Sequence, residues 1–305
     1  MTRRGSILVL LLGLGFCLGC PDVEEPNRES ARVLSLSPRG TRALLAMKLE
    51  GRIIVADPES RALLPAPPAS PSDPDSIRPA LALVPPLFER LAPELDALLA
   101  RAAHVVVVDP HDLDDARALY DEIGEALDEP ARAAATQRRI ADLLGPIGAA
   151  SAERVRPCVV AITALEPLTL AGGHSFESNV LELLGAESAT HDLLEAHRIE
   201  SDRDGLRSLA PDLVLVTAEG LSPDALRSLA SDLAPLEVVP TFFDPEPIWL
   251  GDRAAAEPEL EEWARLVERA RGRARERDGV PANCGRAWGT EASSGDQGQQ
   301  ASRSV

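Results

Sequence analysis

Along this chain, short apolar runs alternate with longer segments of helical spacing, and glycine, proline and aspartate separate them. Val33-Leu34-Ser35-Leu36 and Ile53-Ile54-Val55 read as strands. Between them a helix capped by Thr41 is expected through Leu49, stopping at Gly51, with Ser37-Pro38-Arg39-Gly40 as the loop before it. Leu81 to Val84 forms a third strand, and the apolar residues Leu91, Leu95, Leu98 and Leu99 predict a helix from Leu87 to Arg101. The valines from Val105 to Val108 predict a strand buried on both faces. Further on, Val159 to Ile162 reads as a strand, followed by a Gly172-Gly173 loop and a helix from Ser175 to a stop at Gly185. A helix around Asp192 to His197, a strand Leu213 to Val216, a helix Pro223 to Ala230 and a strand at Val238-Val239 come next. The last helix, Glu257 to Arg275, carries Leu260, Trp263, Leu266 and Val267 as its apolar stripe.

The two halves repeat one pattern. Pro79-Ala80-Leu81-Ala82-Leu83-Val84 is followed by a second strand region ending in Asp109-Pro110, and Pro211-Asp212-Leu213-Val214-Leu215-Val216 by one ending in Asp244-Pro245. A repeat of this length fits a duplicated half-domain rather than a solenoid. Between the halves, Pro130 suits the first turn of a helix, Ile140, Leu143 and Leu144 give it an apolar edge, and Gly145-Pro146 is expected to interrupt or kink it. Strands alternating with helices mean βαβ units. The predicted fold is α/β, with two lobes of mainly parallel sheet, 32–127 and 153–276, joined by a single interdomain helix over 128–152.

The 305 residues include 45% hydrophobic positions, ample for a core. A formal charge of -18, with arginines interleaved among acidic residues and Lys48 as the single lysine, excludes nucleic acid as a partner. Arg3-Arg4, the apolar run Ile7 to Leu18 and Gly19-Cys20 form the three zones of an export leader over 1–20, too short to span a bilayer. Leu18-Gly19-Cys20 resembles the end of a lipobox, so Cys20 is the expected lipid attachment site, with 21–31 as a tether and the body outside the cytoplasm on a membrane anchor. The polar stretch 277–305 reads as a disordered tail. Cys158 and Cys284 are read as isolated thiols rather than a disulfide framework.

Chemistry-bearing motifs are sparse. There is no G-x-S-x-G elbow, P-loop, C-x-x-C or H-E-x-x-H, and no activated nucleophile, so no enzymatic activity is expected. His104, His111, His174, His191 and His197 are scattered in sequence and read as solvated or capping, with no metal site and no cofactor. Gly172-Gly173-His174-Ser175 opens a helix. Two readings stay open there: its backbone N–H groups receive a carboxylate, phosphate or propionate, or the glycines make the turn and Ser175 caps the helix.

Leu165-Glu166-Pro167-Leu168-Thr169-Leu170-Ala171-Gly172-Gly173-His174-Ser175-Phe176, continuing through Leu181 to Ala186, resembles the "PLYTAGGGSF…LLELAGG" stretch of periplasmic binding proteins of cobalamin and iron-siderophore ABC importers. Arg32-Val33-Leu34-Ser35-Leu36-Ser37-Pro38 resembles their "RVVSLSPS" start, and Pro211 to Val216 their "PDLVLV" strand. The resemblance runs from about Arg32 to Arg269. It implies a monomeric solute-binding lipoprotein with two lobes on a rigid helix, holding a corrinoid, an iron-siderophore or haem in the cleft and delivering it to a permease. Family members place aromatics where this chain has Pro85 and Thr169, which leaves Phe242, Phe243 and Trp249 as stacking candidates.

The expected ligand-binding residues are Ser37, Pro38, Arg39, Pro85, Thr169, Gly172, Gly173, His174, Glu219, Phe242 and Trp249, at the carboxyl ends of the strands. Docking to the permease is implied at Asp204 and, out of register, at Asp73. The alternative is a degenerate member of the fold with a structural or sensory role and no transport.

Overall fold

A computed structural model describes residues 31–68, 77–86, 93–151, 155–193, 196–218, 220–276 and 284. The leader with Cys20, the tether up to residue 30, Asp73, Glu219 and the tail apart from Cys284 lie outside the described residues.

Lobe 1 is a four-stranded parallel sheet of order β2-β1-β3-β4, with β1 Val33–Ser35, β2 Ile53–Ala56, β3 Leu81–Val84 and β4 His104–Val107. Its helices are α1 Pro38–Ala46, α2 Pro58–Leu63, α3 Pro93–Leu99 and α4 Leu113–Ala126. All four side chains of β3 are buried, as expected of a central strand covered on both faces. The expectation for β4 is corrected. It pairs on the β3 side and forms the edge of the sheet, so Val106 is buried while Val105 and Val107 are more than half exposed. The first helix is corrected as well, because it begins at Pro38 rather than after Thr41. Ser37 is its N-cap, accepting from the Gly40 N–H, and Pro38 needs no N–H in the first turn.

α5, Pro130–Ser151, joins the lobes and is continuous across Gly145-Pro146, contrary to the expected break. Proline removes the N–H that would bond the Asp142 carbonyl, and Arg253 Nη2 supplies a donor to that oxygen instead, at 2.8 Å. The 22-residue helix is about 33 Å long at the standard rise.

Lobe 2 holds β5 Cys158–Leu165, β6 Leu168–Ala171, α6 Phe176–Leu183, β7 Glu187–Ser188, β8 Arg198–Glu200, α7 Arg203–Ser208, β9 Leu213–Val216, α8 Pro223–Asp232 and β10 Val238–Pro240. β10, β9, β5 and β7 are mutually parallel, but β6 folds back antiparallel on β5, and β8 is antiparallel to β6. Where a helix around Asp192 to His197 was expected, the described residues form turns leading into β8. α9 Glu246–Leu250 then crosses onto α5 and α1, and α10 Arg253–Glu276 packs along α6 and β5.

One continuous core runs through both sheets and α5, from Val33 and Leu83 through Ile140 to Val159, Trp249 and Trp263. Cys158 and Cys284 form a disulfide, which overturns their reading as separate thiols. The sequence separation of 126 hid the pairing, because only the packing of Cys284 beside the first residue of β5 brings the sulfurs together. No helix among the described residues is long and apolar enough to cross a membrane.

Candidate functional site

A cavity of about 740 Å³ opens at the carboxyl ends of β5 and β9, where the lobes face one another. Lobe 2 supplies most of its wall, through Thr163 to Glu166, Glu177, Arg198, Thr217, Ala218 and Gly220 to Ser222, with Phe243 and Pro245 from the loop after β10. Lobe 1 contributes Arg39, from the first turn of α1. Each cationic group of the lining is held by an acid. Arg39 Nη1 bonds Asp109 Oδ1 at 3.2 Å, and Arg198 Nη1 bonds Glu177 Oε1 at 3.1 Å. Glu177 is nearly buried, whereas both guanidinium groups stay half exposed and free to turn toward a bound anion.

The glycine loop does not leave an open N–H cradle. Gly172 N–H donates to the His197 carbonyl, His174 N–H to Ala196 and Phe176 N–H to His111. The two glycines are there because the chain passes against its neighbours: a Cβ on Gly172 would sit 1.8 Å from the Ala196 oxygen, and one on Gly173 2.7 Å from that of His191. Ser175 caps α6, accepting from Ser178 N–H and donating to the Gly172 carbonyl. The capping alternative is therefore the one the packing satisfies.

His174 turns instead toward lobe 1. Its Nε2 pairs with the buried Asp112, the N-cap of α4. Asp112 Oδ1 accepts from Asp115 N–H at 2.7 Å, and Asp115 Oδ2 accepts from His111 N–H at 3.0 Å. His111 stacks on His197 with ring centroids 3.9 Å apart, and His174 lies 5.2 Å from His197. Three of the five sequence-scattered histidines thus meet at the seam between the lobes. Nothing in the sequence spacing signals this, since the residues arrive from three separate loops.

The other expected ligand residues divide by burial. Ser37 is buried as a cap, and Pro38 in the first turn of α1 and Pro85 just after β3 are partly buried. Thr169 hydrogen-bonds Pro167 O within its own hairpin. Phe242 is 66% exposed, beside the cavity-lining Phe243. Trp249 is 2% exposed and belongs to the core. Tyr120 donates to its carbonyl, and burial pushes the Tyr120 phenol well above its usual range. Sequence reasoning missed Glu177 and Arg198, both ordinary charged positions until the fold places them in the wall. Asp204 is an exposed carboxylate at the start of α7, paired with Arg207.

Behind the loop after β10, Glu246 forms a two-point ion pair with Arg42 across the lobes, through contacts of 2.9 and 3.0 Å. Burial raises the Glu246 carboxyl, and the Arg42 charge opposes that. Glu259 accepts from Asp244 N–H. Burial pushes its carboxyl up to about 7, against the lowering effect of that bond, and the Asp244 charge adds to the rise. A second hollow of about 650 Å³ is lined by residues of α4, α5 and α6.

Solved structures with the same arrangement include a possible iron-binding (periplasmic solute-binding) protein from Staphylococcus epidermidis ATCC 12228. It has a TM-score of 0.56 and 17% identity, covering 79% of this chain and 98% of that one. The fold is that of the periplasmic solute-binding proteins. The periplasmic heme-binding protein HutB of Vibrio cholerae matches with TM-score 0.54 and 16% identity, over 78% of this chain and 99% of that one. The periplasmic vitamin B12 binding protein BtuF of Vibrio cholerae matches at 0.52 and 14%, over 78% and 97%. No family model matches the chain, and no curated protein matches it in sequence. These structural neighbours are described as solute-binding proteins.

Proposed function

We propose that this protein is an extracytoplasmic solute-binding lipoprotein of an ABC importer, which captures a corrinoid or iron chelate between its lobes and hands it to a membrane permease. The observation that carries the reading is the 740 Å³ cavity at the carboxyl strand ends, with one arginine from each lobe in its wall. Its charged lining and the burial of Trp249 favour an iron chelate with acidic groups over a flat corrin ring, which has Phe242 and Phe243 as its remaining stacking partners. Cys20 carries the lipid in this reading, and Asp204 and Asp73 are docking residues for the permease.

A thermal-shift screen of the unlipidated protein with cyanocobalamin, haemin and ferric siderophores tests it. A cleft ligand at a hundred times its Kd adds about 2.7 kcal/mol of stability. Arg39→Ala and Arg198→Ala are each expected to weaken the ligand that gives the shift. No shift with any of the probes would sink the reading. Cys20→Ser is expected to release the protein from membranes, and Asp204→Ala to lower permease-dependent uptake with unchanged affinity of the isolated protein.

A further inference from the structure

The seam between the lobes gathers metal-ligating side chains from both lobes. Asp112, Asp115 and His174 each offer one ligand atom, and these atoms all lie within 4.8 Å of one another. The arrangement is built from both lobes: Asp112 and Asp115 stand on the first turn of α4, and His174 comes from the loop before α6. Each aspartate uses one oxygen in capping, Asp112 Oδ1 for Asp115 N–H and Asp115 Oδ2 for His111 N–H, and the second oxygen of Asp112 faces His174 Nε2. These capping bonds fix the carboxylates' orientation, as outer hydrogen bonds do around a bound ion.

Charge gives the second argument. Asp112 is 3% exposed at its side chain, and a second carboxylate beside it shares the same helix terminus. The terminus offers roughly half a positive charge, too little for two carboxylates, and buried charge is costly unless it is paired. His174 Nε2 faces Asp112, and a cation lying among the three groups would balance both acids at once.

The surrounding imidazoles are ordered in the same sense. His197 Nδ1 lies 2.7 Å from the His174 carbonyl, which can only accept, so Nδ1 carries the proton and the bond holds the loop bearing His174. His111 stacks on His197, and its own Nε2 is held by Asp109 at 3.2 Å. His174 and Asp115 are both partly exposed, so an ion has access and water can complete its coordination.

We propose that Asp112, Asp115 and His174 form a divalent metal site of the zinc type that staples lobe 1 to lobe 2. One imidazole and two carboxylates suit zinc and its first-row neighbours, and the absence of thiolate disfavours cuprous ion. The site is separate from the ligand cavity, whose lining includes none of the three residues. Its fate therefore does not depend on which organic ligand, if any, the cleft takes.

The test is calorimetric titration of chelator-stripped protein with zinc chloride at pH 7, alongside cobalt(II) absorption as a report on ligand type. The expected result is one ion per chain, lost or weakened by more than about tenfold in His174→Gln and in Asp115→Asn. Uptake should be unchanged in His191→Gln, which alters a surface imidazole paired with Glu182. Zinc should also raise the melting temperature of the wild type but not of His174→Gln. Asp115→Asn keeps the His174–Asp112 pair and is expected to melt like wild type in chelator, which separates lost metal from lost fold. No zinc or cobalt uptake by the wild type would overturn the proposal, as would uptake undiminished in both variants or abolished by His191→Gln.

Discussion

The two lobes are built on one plan and differ in one insertion. In lobe 1 the strands lie in the order β2-β1-β3-β4, and in lobe 2 their counterparts β7, β5, β9 and β10 pair in the same sequence, all parallel. Leu81 pairs with His104 and Val214 with Val238, nearly the same step along the chain. Ser37 caps the helix after β1, and Ser175 caps its counterpart after β5. The difference lies in what precedes the cap. β1 turns directly into α1, whereas β5 runs on for eight residues, reverses at Glu166-Pro167 and returns as β6 before α6 starts.

This hairpin carries the Gly172 to His174 loop to the seam and brings Arg198 to the cavity wall through β8. Lobe 2 therefore builds most of the cleft, and lobe 1 supplies one arginine to it. The ends of the sheets differ too. The loop after β4 is held by the exposed Arg39–Asp109 pair, and the loop after β10 by the half-buried Glu259 and by α10.

The sharpest way to break the comparison is at Trp249, which has no counterpart after β4 and seals α9 onto both lobes. Trp249→Ala is expected to cost about 3–5 kcal/mol in denaturant unfolding, as for other buried aromatic truncations. Phe242→Ala, seven residues earlier and exposed, should stay within about 0.5 kcal/mol. Equal costs for the two would show that Trp249 is not a core residue.

Lobe 2 alone carries a covalent clamp. Cys284→Ser is expected to lower stability by about 2–4 kcal/mol under oxidising conditions and to have no further effect once the wild type is reduced. A variant as stable as the oxidised wild type would mean that the clamp contributes nothing.

The paired caps offer a finer test. Ser37→Ala should cost about 1 kcal/mol, whereas Ser175→Ala should cost about 2 kcal/mol, because its hydroxyl also donates to Gly172 O inside a buried chain of Ser178, Ser188 and Thr190. Matching losses would remove the claim that the inserted hairpin raised the importance of the second cap.

The smallest effect is expected from Glu259 and depends on pH. Its folded carboxyl is raised to about 7 from its ordinary value of 4.5, so the folded state binds its proton more tightly than the unfolded chain. That contribution is fully present below 4.5 and is lost as pH rises through about 7. Discounted for its partial exposure, it amounts to about 1 kcal/mol. Glu259→Gln should flatten the fall in melting temperature between pH 5 and pH 8, measured at about equal ionic strength. A fall as steep as that of the wild type would place the titration elsewhere.

Much of the scaffold was legible in the residues themselves. Leu81 to Val84 and Leu213 to Val216 are apolar at every position, a pattern that only a strand covered on both faces sustains in so short a run, and both are central strands. Val105 to Val108 looks the same and is an edge strand, because composition reports apolarity but not how many neighbours the sheet provides. In the candidate site, Arg39 was legible from its place after a strand. Glu177 and Arg198 were not, since a charged residue on a helix or strand looks alike whether it faces bulk water or a cleft.

The sequence by itself determined the apolar strands β1 to β5, β9 and β10, the repeat of their pattern and the place of the joining helix, because each follows from periodicity within a few turns of chain. Tertiary structure alone decided the rest. It paired Cys158 with Cys284, carried α5 through Pro146 with an arginine from α10, sank Trp249 into the core and brought His111, His174 and His197 together. The reason is common to all four. Each joins groups far apart in the chain, and which of them meet is set by how the whole molecule closes its core, a property that no local pattern encodes.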